Sequence, residues 1–176
     1  MSELTLRPAT EADFAEIGAL YDRVIADVAG TDRDPIWDRS IHPCDEDLHA
    51  AIAAGSLLTA FRDGVLVASL ILDQDFACGY EAVTWPSGAT DAESLCLHLF
   101  AVDPERTNKG LGGQVLALAI DHARAAGYRA IRLDVLPWLA GPRHLYAKTG
   151  FEELGLFDLS YPDPRVKEFY LYELAL

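Results

Sequence analysis

The stretch Val102–Leu116, VDPERTNKGLGGQVL, has residue types that could bind a phosphate. Gly110, Gly112 and Gly113 have no Cβ to block a close approach. They precede an amphipathic segment, and the first amides of a helix have no acceptors within that helix. These N–H groups and the positive end of the helix dipole favour an anion such as a pyrophosphate. The stretch predicts a phosphate-binding turn between a strand and a helix, the alternative being a surface turn whose glycines only end secondary structure.

Two well-known phosphate-binding motifs do not fit this stretch. A Walker A loop needs Lys followed by Ser or Thr at the start of its helix, where this chain has Gly112 and Gly113. A Rossmann turn has a different glycine spacing, although Asp134 follows at a suitable distance for its acidic residue. A nucleoside triphosphate site is therefore not expected.

The segment Thr107–Gly112, TNKGLG, resembles the coenzyme A loop of the GNAT superfamily of N-acyltransferases. The family pattern is Gln or Arg, two residues, Gly, one residue, then Gly or Ala. Val102 and Pro104 also stand where the family commonly has Val and Pro. The chain departs from the pattern at Thr107, which replaces the usual Gln or Arg.

A second family landmark, Leu-Tyr followed by Gly-Phe, matches Leu145-Tyr146 and Gly150-Phe151. Leu139 stands where many members have an Asn that contacts the cofactor arm. The resemblance covers most of the chain. A weaker similarity to a bacterial branch, whose members often lack known substrates, involves Trp37, the segment IHP at 41–43, Tyr80 and Trp85.

The resemblance implies that acetyl-CoA is the cosubstrate and that its pantetheine arm hydrogen-bonds the fourth strand as an added strand would. The implied contacts lie on that strand, in the glycine turn and around the Leu-Tyr landmark. They are Phe100, Ala101, Val102, Thr107, Asn108, Lys109, Gly110, Leu111, Gly112, Gly113, Leu139 and Tyr146.

The implied chemistry is direct attack of an amine on the thioester. It needs an uncharged nucleophile, a stabilised oxyanion and a proton donor for the departing thiolate. Tyr146 matches the tyrosine that protonates the thiolate in the family, and a phenol has a proton to donate at neutral pH. The alternative is a tyrosine packed on its helix as an amphipathic side chain.

His98 is the candidate general base, because its unperturbed pKa suits removal of a proton from an amine, directly or through water. Alternation along the strand predicts that Cys96, His98 and Phe100 share one face. A histidine on an apolar strand is more often a hydrogen-bonded structural residue. Glu81 and Glu93 are alternative bases.

Cys96 beside His98 also suggests a thiol nucleophile with ping-pong transfer. Residues at this spacing on one strand seldom align as thiolate and base, and apolar neighbours raise the pKa of a thiol. We expect Cys96 to pack in the core.

Composition indicates one compact domain over residues 1–176, because 176 residues with 51% hydrophobic content can form one sizeable core. No apolar run is long enough to span a bilayer, and MSELTLRP lacks the basic and apolar regions of a secretory signal. We expect a cytoplasmic protein with no membrane partner. Cys44, Cys78 and Cys96 have no CxxC spacing, so neither disulfides nor a metal site is expected.

The charge balance restricts the class of partner. A formal net charge of −14, with only 14 Lys and Arg, argues against nucleic acid, because neutralising phosphates needs a basic surface. A cationic or amine substrate is easier to accommodate, although acidic surfaces also simply keep proteins dispersed.

Periodicity predicts strands and helices in the first half of the chain. Thr10, followed three residues later by Asp13, predicts a capped helix, and Asp63-Gly64 predicts a hairpin turn. Asp73–Asp91 has no clear period and is predicted as an irregular insertion. The predicted ranges are strand Leu4–Arg7, a helix with Phe14, Ile17, Leu20, Tyr21 and Ile25, helix Asp45–Ala54, and strands Leu57–Arg62 and Val65–Leu72.

The second half alternates helices and strands after the fourth strand. A helix that ends at Gly127 is followed by strand Ala130–Val135, a helix from about Gly141 to Lys148, and strands Phe151–Asp158 and Glu168–Leu174. This order predicts an α/β fold with a mixed central sheet of about six or seven strands and helices on both faces. The resemblance implies the GNAT-like three-layer form, with a splay between the fourth and fifth strands.

These features favour an acetyl-CoA-dependent N-acetyltransferase that acts in a ternary complex on a small amine, amino acid or peptide. The departures at Thr107 and Leu139 would suit a non-catalytic acyl-CoA-binding sensor or interaction module instead. An O-acyltransferase is a third hypothesis, because the site could equally orient a hydroxyl. The sequence identifies neither the acceptor nor the oligomeric state, and a homodimer is compatible with it.

Overall fold

The computed structural model describes residues 3–106, 110–161, 163 and 165–176. The elements in chain order are β1 (Leu4–Pro8), α1 (Phe14–Val28), α2 (Asp45–Ala53), β2 (Leu57–Arg62), β3 (Val65–Asp73), β4 (Ser94–Val102), α3 (Leu111–Ala125), β5 (Ala130–Val135), α4 (Ala140–Lys148), β6 (Glu152–Asp158) and β7 (Glu168–Ala175). The strands form a sheet in the order β1-β2-β3-β4-β5-β7-β6. This mixed α/β arrangement confirms the predicted fold class.

The chain divides into two compact units. The first comprises Met1–Leu72 and His98–Ala119, and the second comprises Asp73–Leu97 and Ile120–Leu176. Among the described residues, no helix combines the length and hydrophobicity that crossing a bilayer requires.

In the first unit, Thr10 and Asp13 form the expected capping box at the 3-10 turn Glu11–Asp13, which leads directly into α1. The Thr10 N–H and hydroxyl donate to Asp13 Oδ2 at 2.8 and 2.9 Å. Arg7 donates to both carboxylate oxygens at 2.8 Å. These bonds, that of Arg7 above all, hold the pKa of Asp13 well below its usual range.

The core of the first unit is formed by one face each of α1 and α2 against β2, β3 and β4. Apolar side chains three and four positions apart on each helix point inward, as an amphipathic helix requires. The buried members are Ala9, Ile17, Leu20, Tyr21, Leu48, Ile52, Leu57, Leu66, Ile71, Leu99 and Ala101. The β2–β3 hairpin turns at Asp63-Gly64, where both residues have positive φ, which confirms the predicted turn.

The backbone of β4 is interrupted at Leu99, which has φ of +49° in the left-handed region. Its carbonyl oxygen accepts a 2.7 Å hydrogen bond from the buried Tyr21 hydroxyl of α1. Cys96 is buried whereas His98 and Phe100 are half-buried, and the predicted shared face of these three residues stays a prediction.

The parallel ladder between β4 and β5 covers Ser94–Cys96 and Ala130–Arg132. Both strands continue beyond these pairs. The splay that the resemblance implies between the two strands stays a prediction.

In the second unit, the buried side chain of Arg132 on β5 attaches the irregular segment before β4. It donates to Asp91 Oδ1 at 2.7 Å, to the Ala89 carbonyl at 2.6 Å and to Glu173 Oε1 at 3.3 Å. Its guanidinium also lies 4.4 Å from the centre of the Trp85 ring. Glu173, 3% exposed, accepts two further bonds from Ser87. A segment with little regular structure is therefore fixed by one buried ion pair.

We expect Arg132→Met to lower the free energy of unfolding by about 3–5 kcal/mol, because it leaves the Glu173 carboxylate buried without its cation. Urea denaturation measures this change. Arg129→Met is the matched control, since Arg129 forms an exposed pair with Glu93 and should cost less than about 1 kcal/mol. Equal losses in the two variants would contradict this account of Arg132.

We expect Asp13→Asn to cost about 1–2 kcal/mol at pH 7, because it weakens the cap of α1 and the bond to Arg7. The folded pKa of Asp13 is depressed, so its stabilisation is complete above its unfolded pKa of about 4 and disappears as pH falls toward the folded value. Urea denaturation at several pH values should show the two proteins converging in acid. Asp27→Asn, at an exposed pair with Arg33, should cost little at any pH.

Candidate functional site

The start of α3, in the first unit, has the geometry that anion binding requires. Gly110 precedes the helix with φ of +94°, a conformation that favours glycine. The Gln114 N–H donates to the Gly110 carbonyl at 3.0 Å, so the amides of residues 111–113 precede the first turn of helical bonds and have no acceptor within the helix. The first turn contains no acidic side chain. The predicted contacts Thr107, Asn108 and Lys109 lie outside the described residues.

The segment between β4 and α3 is held by Asp103, a buried carboxylate. Its N–H donates to the Val67 carbonyl at 2.9 Å, and its Oδ1 accepts the Glu105 N–H at 3.0 Å. Arg23 of α1 donates to its Oδ2 at 2.7 Å. The buried charge is thus paired, and the chain is fixed where it leaves the strand.

The outer part of β4 alternates between half-buried and buried residues. His98, Phe100 and Val102 are half-buried, whereas Leu99 and Ala101 are buried in the core. This half of the strand contains the predicted base and the three predicted pantetheine contacts, and it belongs to the first unit together with the start of α3.

Tyr146 lies on α4 in the second unit and is 7% exposed. Its ring packs edge-on against Phe151, with 5.5 Å between ring centres. Burial, and then the negative charge of Asp134, raise the pKa of Tyr146 above its ordinary value. The phenol is therefore neutral at physiological pH and has a proton to donate.

The Leu-Tyr and Gly-Phe landmark has a physical explanation in the way α4 ends. Gly150 has φ of +96°, and the Phe151 N–H donates to the Tyr146 carbonyl at 3.1 Å. This is the bond that closes a helix whose C-terminal glycine is left-handed. The glycine turns the chain back so that Phe151 packs on Tyr146, and the four residues thus position the tyrosine.

Sequence reasoning did not identify Asp134 of β5 as a candidate site residue. Its Oδ2 accepts a 2.9 Å hydrogen bond from the hydroxyl of Tyr80, which is 3% exposed. Trp85 fixes Tyr80 in turn, because its Nε1 donates to the Tyr80 carbonyl at 3.2 Å and its ring lies 5.0 Å away. The available signal in the sequence was a single carboxylate between the apolar residues that end β5, LDV.

The other candidate residues make packing contacts or hydrogen bonds within the fold. Cys96 is fully buried, and its Sγ lies 3.9 Å from the Tyr80 hydroxyl, which suits packing. Glu93 accepts a hydrogen bond from the Thr90 N–H and pairs with Arg129. These bonds, that from the Thr90 N–H most of all, lower the pKa of Glu93 to about 2. Glu81 is exposed and accepts the Gly79 N–H. Leu139 is the N-cap of α4 and is buried.

The described part of the chain contains no group of three or more His, Cys, Asp or Glu side chains arranged to hold a metal ion. The candidate groups are the amides at the start of α3 in the first unit, His98 in the same unit, and Tyr146 and Asp134 in the second unit.

Solved structures of other proteins have the same fold. A GNAT-family acetyltransferase from Streptococcus agalactiae has a TM-score of 0.81 at 18% identity, covering 98% of this chain and 95% of that chain. A candidate acetyltransferase from Salmonella typhimurium, solved with its cofactor acetyl-CoA, has a TM-score of 0.71 at 21% identity, covering 99% and 95%. The Escherichia coli ribosomal-protein-S18-alanine N-acetyltransferase has a TM-score of 0.67 at 19% identity, covering 98% and 94%. At these identities the likeness shows the fold.

No curated protein matches the chain. The model of the acetyltransferase (GNAT) family matches residues 26–151. This match runs from within α1 to the residue before β6, so it includes β4, the glycine turn, α3 and the Tyr146 landmark. Because it spans well over half of the sequence, the protein belongs to the acetyltransferase (GNAT) family.

Proposed function

We propose that the protein transfers an acetyl group from acetyl-CoA to an amine of a small molecule, amino acid or peptide, by direct attack in a ternary complex. The observation that carries this proposal is the start of α3, where Gly110 and three amides without helical acceptors form an anion site in a chain of this family. The solved Salmonella typhimurium protein of the same fold, described with its cofactor acetyl-CoA, supports the choice of cosubstrate.

The residues of the first unit fit the proposed cosubstrate. The amides of Leu111, Gly112 and Gly113 would bind its pyrophosphate, because the first amides of a helix have no acceptor within it and lie at its positive end. A Cβ placed on Gly110 would lie 3.9 Å from Gln114 Nε2, which is ordinary van der Waals contact. The backbone from Phe100 to Val102 would hydrogen-bond the pantetheine arm. Acetyl-CoA, when bound, supplies an activated thioester.

Tyr146 is the proposed proton donor. When the amine nitrogen bonds to the acetyl carbon and the carbon–sulfur bond breaks, the departing thiolate takes the phenol proton. Burial and the charge of Asp134 raise the pKa of Tyr146 and keep it protonated until that step.

Two groups are candidates for the base that takes the proton from the amine. His98 is proposed from the sequence, because a neutral imidazole accepts protons near pH 7. Asp134 is favoured by a specific observation, since its carboxylate is oriented by Tyr80 and lies close enough to Tyr146 to raise the pKa of the phenol. A carboxylate there would also attract the ammonium form of an amine substrate.

We expect calorimetric titration to show binding of acetyl-CoA and coenzyme A and no binding of ATP. Thiol release with a panel of amines should then identify an acceptor, since the reaction frees coenzyme A. Failure to bind acetyl-CoA would overturn the proposal. Binding with no release from either amines or alcohols would indicate a sensor, whereas release with alcohols alone would indicate an O-acyltransferase.

We expect Tyr146→Phe to lower kcat about a hundredfold or more while the affinity for acetyl-CoA is unchanged, because only the departure of the thiolate needs the phenol proton. Tyr128→Phe, at a half-buried tyrosine of the second unit, is the matched control. A kcat for Tyr146→Phe within twofold of wild type would exclude Tyr146 as the donor.

The dependence of kcat/KM on pH separates the two candidate bases. If His98 is the base, His98→Gln removes the acidic limb of the profile and lowers the rate about a hundredfold, whereas Asp134→Asn leaves that limb in place. If Asp134 is the base, Asp134→Asn gives the larger loss. His122→Gln, on the exposed face of α3, controls for the loss of an imidazole.

A further inference from the structure

Arg62 and Gln114 lie at the end of the first unit where α3 begins. Arg62 is the last residue of β2, and Gln114 is in the first turns of α3. Arg62 Nη2 donates to Gln114 Oε1 at 2.7 Å. The Asp103 N–H, which donates to the Val67 carbonyl, brings the end of β4 to the same end of the sheet.

The Arg62 bond determines which way the amide of Gln114 faces. A guanidinium has donors and no acceptor, so it can bond only the oxygen of the amide. The Nε2 group, with its two donors, is consequently turned toward Gly110 and lies 3.9 Å from the position of a Cβ on that glycine. Gln114 itself is exposed and accessible to a ligand.

Arg62 is held in place by its surroundings. Its side chain is half-buried, and its Nε is shielded from solvent without a hydrogen-bond partner among the described residues. Asp103, the buried carboxylate of this region, is already paired with Arg23. Among the described residues, the Gln114 amide thus places a side-chain donor close to Gly110.

We propose that Gln114 Nε2 donates a hydrogen bond to a phosphate of coenzyme A, and that Arg62 is a positioning residue that orients the amide for this bond. The assignment rests on the proposed function, since it presumes that coenzyme A binds at the start of α3. Gln114 would give the chain a side-chain donor from within α3. In the loop before this helix, Thr107 stands where the family pattern has Gln or Arg.

Calorimetric titration of wild-type protein, Gln114→Leu and Arg62→Met with coenzyme A and with 3′-dephospho-coenzyme A tests the proposal. We expect each variant to bind coenzyme A about tenfold more weakly, the effect of losing a hydrogen bond to a charged group. Equal weakening for the two ligands assigns the bond to the pyrophosphate, and weakening for coenzyme A alone assigns it to the 3′-phosphate.

Arg33→Met is the matched control, because it removes one positive charge from an exposed pair in the same unit. It should bind both ligands as wild type does. The double variant of Arg62 and Gln114 should bind no more weakly than Gln114→Leu alone, because Arg62 acts through the amide. Additive losses would overturn the positioning role of Arg62.

Thermal unfolding of each variant, compared with wild type, separates a binding defect from a folding defect. If wild type binds neither ligand, the proposed function itself fails. If wild type binds and a stably folded Gln114→Leu binds both ligands equally well, only the assignment of Gln114 is overturned.

Discussion

The left-handed backbone of Leu99 in β4 is the constraint on which the arrangement of the candidate site most depends. A residue with a side chain adopts this conformation at a cost of about 1–3 kcal/mol, and it persists only where the surroundings determine it. Here the Leu99 side chain is buried in the core of the first unit, and its carbonyl accepts the Tyr21 hydroxyl. Packing of α1 thus fixes β4 between His98 and Phe100, which are both half-buried, as is Val102.

The second unit depends on a buried charge in a comparable way. Arg132 is bonded to Glu173 and lies over the ring of Trp85. The same indole donates to the carbonyl of Tyr80, whose hydroxyl bonds Asp134. A segment with little regular structure of its own therefore orients a carboxylate on β5, because a buried ion pair holds it against the sheet. Replacing either charge would disturb the candidate base as well as the fold.

The start of α3 and the surroundings of Tyr146 differ in their electrostatics. The start of α3 presents N–H donors and no acidic side chain in its first turn, which suits the phosphates of a cosubstrate. Around Tyr146, burial and then the negative charge of Asp134 raise the pKa of the phenol. Backbone amides at the start of a helix can bind an anion without net positive charge, so the acidic composition of the chain is compatible with the proposed site.

The sequence by itself determined the elements and the two family landmarks, because their signals are local. A capping box at Thr10, the Asp63-Gly64 turn and the glycine that ends α4 each act within a few residues. Only the tertiary structure decided which polar groups from distant parts of the sequence meet. Tyr21 and the Leu99 carbonyl are 78 positions apart, and Tyr80 and Asp134 are 54 apart. Contacts between such distant residues leave no periodic signal, so neither the break in β4 nor the oriented carboxylate could be read from spacing.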